Sequence, residues 1–206
     1  IPGFGQIPKR LLEAARDVFS SRCIVFAFLL DREPSLRQKQ LDLIQRLEGA
    51  ETVHETERLL PMLEKMDVRY RMPIFEILQG TLVGLSNNQY LHFRRSIAEL
   101  IQADQKISLF EFFLRHHLVI HLDRHFGHGL PHLVKHEHLA DVSREAAYVL
   151  TILAMVGHQT EPDAQAAFAA GIQAVGQLQG LTFAAGQLDF GELARSITKL
   201  SHASPS

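Results

Sequence analysis

Apolar side chains recur at intervals of three and four along almost the whole chain. Leu36, Leu41, Leu43, Ile44 and Leu47 fall mostly on one helical face, and Tyr90, Phe93, Ile97, Leu100 and Ile101 repeat at the same spacing. No stretch sustains the period-two alternation of a half-buried strand. The pattern predicts an all-α protein, a bundle of antiparallel helix pairs, with helices near 8–18, 21–31, 35–48, 52–66, 72–85, 87–103, 108–125, 141–157, 161–178 and 188–202. Two runs, Cys23 to Leu30 and Ala146 to Val156, are apolar on every side. Both are shorter than the roughly 18 to 20 residues needed to cross a bilayer, so they read as buried helices and no membrane span is expected in this segment.

Punctuation supports these boundaries. A Ser or Thr followed three residues later by Glu, Asp or Gln can cap a helix start, because the hydroxyl accepts from one free amide while the longer side chain reaches back to another. The pairs Ser35/Gln38, Thr52/Glu55, Ser86/Gln89, Ser108/Glu111 and Thr160/Asp163 have this form. Gly127, Gly129 and Pro131 end the helix before them, since glycine tolerates a left-handed cap and proline cannot continue the ladder. The expected organisation is a linker and lead-in helix over 1–20, a helical unit over 21–130 and a second, incomplete unit over 131–206. CIVFAFLLDREPSLRQKQLDLI and YVLTILAMVGHQTEPDAQAAFAAGI share an order of apolar helix, proline-containing turn and amphipathic helix. PIFEILQGTLVGLS and DFGELARSITKLS extend that likeness, which would make the chain one and a half copies of one helical unit.

Charge narrows the partners. Against 23 acidic residues stand 21 lysines and arginines, a net charge of -2 that supplies no broad cationic field for nucleic acid. The single cysteine, Cys23, lies inside an apolar run and reads as a packed hydrophobe; it excludes an internal disulfide and fits a reducing compartment. The N-terminal IPGFGQIP has neither the basic start nor the apolar stretch of a signal peptide, and a fragment or processed product is expected, with functional parts upstream.

Eight of the 12 histidines crowd into residues 116–138: His116, His117, His121, His125, His128, His132, His136 and His138. The zinc-protease motif His-Glu-x-x-His, which sets two imidazoles one turn apart with the glutamate beside the metal-bound water, is absent. His54-Glu55 is followed at the required place by Arg58 and His136-Glu137 by Ala140. His117, His121 and His125 do fall at successive four-residue steps, and two of them could chelate a metal from one face. Each such step rotates about 40° around the axis, so a third ligand would have to come from His128 or His132 in the following loop. The competing reading is a surface helix in which Asp123 pairs with one of the histidines. A calcium loop over Asp104 to Glu111 lacks the glycine and the oxygen ligands it needs, with Gln105 and Lys106 in their places. Neither a Gly-x-Ser-x-Gly elbow nor a phosphate-binding glycine loop occurs, and no catalytic residue or cofactor site is assigned to this segment.

The stretches AARDVFSSRCIVFAFLLD (Ala14 to Asp31) and QYLHFRRSIAELIQADQKISLFEFFLRHHLVIHLDRHF (Gln89 to Phe126) resemble the C-terminal extension of bacterial HtpX-type membrane-bound zinc metallopeptidases. The alanine-aspartate turn followed by Ile-Ser-x-x-Glu is similar to the tellurite-resistance TerB-like helical fold, although Gln105 stands where that family has glycine. The resemblance covers the first two thirds of the chain. It implies a noncatalytic accessory domain, whose partners are the parent protease domain or its protein substrates. It implies also that zinc and the catalytic motif belong to that parent domain, with this segment on the cytoplasmic side of an inner membrane. The alternative is a stand-alone histidine-rich metal-binding or metal-responsive helical protein. A third reading is an acid-responsive surface built on the histidines.

Overall fold

The computed structural model describes residues 7–103, 109–128, 139–174, 180–183 and 189–201. The chain separates into two compact units, Ile1–Leu130 and Pro131–Ser206. Every regular element among the described residues is helical, so the protein is all-α.

The first unit contains α1 (Lys9–Ala15), α2 (Val18–Leu29), α3 (Pro34–Glu48), α4 (Ala50–Lys65), α5 (Arg71–Leu82), α6 (Asn87–Ala103) and α7 (Leu109–His125), with a 3-10 turn at Val68–Tyr70 leading into α5. Helix α2 is the centre. Cys23, Ile24, Val25 and Phe26 are wholly buried, and α2 packs against α1, α4, α5 and α6. A helix apolar all round is stable only when surrounded, which is how the run from Cys23 onwards is accommodated. Around it the amphipathic helices turn one face inward. Leu41, Leu43 and Ile44 of α3, Leu59 and Leu63 of α4, and Tyr90, Phe93, Ile97 and Leu100 of α6 enter one core. Phe26 meets Phe93 edge to face, with ring centroids 5.4 Å apart, a favoured aromatic geometry. The turn between α2 and α3 is tied down by buried Gln40, which donates to the Leu29 carbonyl and accepts from the Asp31 amide.

Several helix starts differ from expectation. The helix expected over 8–18 is broken at Arg16, and Asp17 starts α2 by accepting from the Ser20 amide at 2.8 Å. Leu11 and Ala15 nonetheless lie in the same core as α2, so this lead-in segment is part of the packed unit. At α3 the cap is Glu33, followed by Pro34 at the first helical position; it accepts from the amides of Ser35 and Leu36. Helix α4 begins two residues before Thr52, at Ala50. Gly49 makes this possible with φ of 92°, ending α3 and starting α4 at one residue. The box at Ser86/Gln89 forms in full, with Ser86 N–H donating to Gln89 at 2.9 Å and Gln89 N–H to Ser86 at 3.3 Å. The pair at Ser108/Glu111 involves Ser108, outside the described residues.

The second unit contains a 3-10 turn at Leu139–Val142, α8 (Ser143–Gly157), α9 (Glu161–Ala174) and α10 (Phe190–Leu200). Ala146 and Ala154 of α8 pack with Ala164, Phe168 and Ile172 of α9, and Phe183 closes edge-on against Phe168 at 5.6 Å. Thr160 caps α9 by accepting from Asp163 N–H at 3.3 Å, and Asp189 caps α10 by accepting from Glu192 N–H at 2.9 Å. An ion pair of 2.6 Å between Lys199 and Glu145 joins α10 to α8.

Candidate functional site

Helix α7 carries the candidate residues. Leu114, Leu118 and Leu122, each one turn apart, are buried and hold the helix against α5 and α6. The adjoining row, Phe113, His117 and His121, follows at the same interval and faces outward, as does His125 at the last turn. Phe113 remains 38% exposed. The His117 ring stacks on Phe113, centroids 5.4 Å apart and planes inclined 14°, and lies 5.7 Å from Phe75 of α5. His116 stacks in the same way on Phe112 at 5.6 Å. His125 instead packs edge-on against Phe126 at 4.8 Å.

Two effects hold the His117 imidazolium below its ordinary range: partial burial against the phenylalanines, then repulsion from His121 one turn away. The neutral ring, with a free lone pair, is therefore favoured there near neutral pH. Among the described residues, no group of three or more His, Cys, Asp or Glu side chains is assembled in the manner of a metal centre. His132, His136 and His138 lie outside the described residues.

The carboxylate of Asp123 is turned away from the histidines. It accepts from the Tyr90 hydroxyl at 2.6 Å and from Arg94 Nη2 at 3.1 Å, so the pairing with histidine weighed for it is replaced by a link between α7 and α6. Tyr90 also stacks on Phe126, centroids 4.5 Å apart and 13° from parallel. Burial, followed by the hydrogen bond to Asp123, pushes the Tyr90 hydroxyl pKa well above the phenolic range. Helix α7 then ends in a paired-bond cap. Gly127 adopts φ of 75° and donates to the Arg124 carbonyl, while His128 N–H reaches the Asp123 carbonyl at 2.7 Å. The His128 ring lies 2.7 Å from Asn87 Oδ1.

Other polar groups are engaged in the fold. Glu55, beside His54, accepts from Nε and Nη2 of Arg58 and from the Ser20 hydroxyl, which together hold its carboxyl below the usual range against the effect of burial. Burial pushes the Cys23 thiol up to about 12, which removes thiolate chemistry near neutral pH. Sequence spacing did not disclose a cluster around Glu48. Its side chain, 3% exposed, meets Arg22 at 3.3 Å and His92 at 3.4 Å, and His92 Nε2 also lies 3.0 Å from the Leu47 carbonyl. One local signal pointed there: an acid in the last turn of a helix opposes the helix dipole and calls for a cationic partner from elsewhere. In the second unit a groove of about 320 Å³ is lined by Arg144, Glu145, Tyr148, Glu192, Arg195 and Lys199, cations and carboxylates in near balance.

No helix among the described residues is long and apolar enough to cross a membrane. No family model, curated protein or solved structure matches the chain.

Proposed function

We propose that this chain is a noncatalytic helical interaction module, the accessory domain of a membrane-bound zinc metallopeptidase. The family part of this reading rests on the resemblance of Ala14 to Asp31 and Gln89 to Phe126 to HtpX-type extensions. The interaction part is supported by one observation, the outward aromatic and imidazole row of α7. Phe113 is 38% exposed there, and Met72, one turn before Phe75 on α5, is 41% exposed. Exposed apolar side chains rimmed by polar ones favour protein docking, because their burial is gained only when a partner covers them. In this reading the partner is the protease domain or a protein substrate presented to it, on the cytoplasmic side of the membrane. Zinc and the catalytic glutamate belong to the protease domain.

Covering the 38% of Phe113 still exposed supplies about 0.5 to 1 kcal/mol, and a carboxylate in its place would be buried unpaired at a further cost of about 1 to 3 kcal/mol, together at least about tenfold in affinity. Calorimetric titration of the chain with the protease domain should therefore show Phe113→Asp binding at least tenfold more weakly, with helical circular dichroism unchanged. Equal affinity of the two chains would remove the docking face. Coding sequence upstream of Ile1 that encodes neither membrane spans nor a His-Glu-x-x-His helix would remove the protease assignment.

A further inference from the structure

We infer that His117 and His121 form a bidentate site for a divalent transition metal ion of borderline softness, Cu²⁺, Ni²⁺ or Zn²⁺. The first argument is register. Both residues belong to the continuous helix Leu109–His125, and side chains four apart on a helix stand about 5 to 6 Å apart at Cβ, a span that two imidazoles can close around one ion. The second is preorganisation. Stacking on Phe113 and contact with Phe75 restrict the His117 ring, so less rotamer freedom is lost on coordination than for an unsupported surface histidine. The third is access, because both residues are exposed and a hydrated ion reaches them from solvent.

The site is a pair. A further four-residue step carries His125 about 40° farther round the axis, and its ring is occupied edge-on with Phe126. Asp123, the nearest carboxylate in sequence, is committed to Tyr90 and Arg94. Two imidazoles leave the remaining coordination positions to water, as in a binding site rather than a closed structural centre. Imidazole nitrogen selects copper, nickel and zinc over magnesium or calcium, whose preferred ligands are oxygens.

The test is calorimetric titration of the tag-free chain with Cu²⁺ and with Zn²⁺ at pH 7.5 in a non-coordinating buffer. Copper is also followed by electron paramagnetic resonance. The expected result is micromolar copper uptake at one ion per chain, with nitrogen splitting from two imidazoles. Weakening of at least about tenfold is expected in His117→Ala and in His121→Ala, as loss of one arm of a chelate requires. His125→Ala, and a variant with alanine at 132, 136 and 138, should bind as the parent chain does, with helical content unchanged throughout. Uptake insensitive to His117→Ala and His121→Ala, uptake abolished by the 132, 136 and 138 variant, or no uptake at all would each overturn the inference.

Discussion

Replacing Tyr90 by phenylalanine removes a single oxygen from the contact that fixes α7 to α6. The ring is almost entirely enclosed, 1% exposed, and the substitution keeps its stacking on Phe126. What is lost is a 2.6 Å hydrogen bond to a carboxylate. Bonds to charged groups contribute about 1.5 to 3 kcal/mol, and Asp123 keeps Arg94 as a partner, so a loss of about 2 kcal/mol is expected. Asp123→Ala should cost more, about 3 kcal/mol, because it strands a buried hydroxyl as well as cancelling the ion pair. The Arg94 side chain is 47% exposed and can turn toward water, which limits that cost. In the Asp123→Ala background, Tyr90→Phe should be nearly neutral, giving a coupling of about 2 kcal/mol. Urea unfolding followed by far-ultraviolet circular dichroism measures all four states of this cycle. Additive single effects, or a Tyr90→Phe loss under about 0.5 kcal/mol, would show that the α6 and α7 junction is held by packing alone.

Two glycines predict opposite responses to alanine. At Gly49, φ is 92° and nothing stands within 4 Å of an added Cβ, so Gly49→Ala should destabilise by about 1 to 2 kcal/mol through backbone strain alone. At Gly80, inside α5 with equally open surroundings, Gly80→Ala should stabilise by about 0.5 to 1 kcal/mol; thermal melts of both variants check the contrast. In the second unit, the hydrogen bond from Lys199 is the main cause holding the Glu145 carboxyl below its ordinary value. A depressed folded pKa means that this stabilisation is fully present above the unfolded carboxyl range and is lost as pH falls through the folded value. Lys199→Met should accordingly lower stability at pH 7 and narrow its gap from the parent chain as pH falls toward 3, and a gap that widens on acidification would contradict the assignment.

Local chemistry was legible where the partners lie within one turn of each other and no neighbouring residue competes for the same helix start. The all-α architecture, the enclosed helix at Cys23 and the left-handed cap at Gly127 all depend on spacing or on one residue's conformational freedom, and these survive in sequence. The box at Ser86/Gln89 was legible for the same reason. The box expected at Thr52/Glu55 failed because a permissive residue upstream competes with it. Gly49 lets α4 start early, after which the Thr52 hydroxyl turns back to the Glu48 carbonyl and Glu55 is drawn to Ser20 and Arg58. Ser35 lost to Glu33 in the same way, since Pro34 favours the first helical position and places the acid before it at the cap. Pairings between helices left no periodic trace. Arg22, Glu48 and His92 come from three elements, and only the energetic anomaly of an acid at a helix C-terminus marked one of them.

Helix α7 combines both kinds of information. Its inner row of leucines fixes which residues must face outward, because a helix that buries positions 114, 118 and 122 presents 113, 117 and 121 on the neighbouring row. That consequence of packing places a phenylalanine and two imidazoles side by side at the surface. His117 stacks on Phe113 within α7, but its tilted contact with Phe75 depends on α5 standing beside α7, which no spacing rule within α7 could supply. A histidine row thus becomes a candidate site only after tertiary contact has restricted one of its rings. His121, on the same row, has no such stacking partner among the described residues.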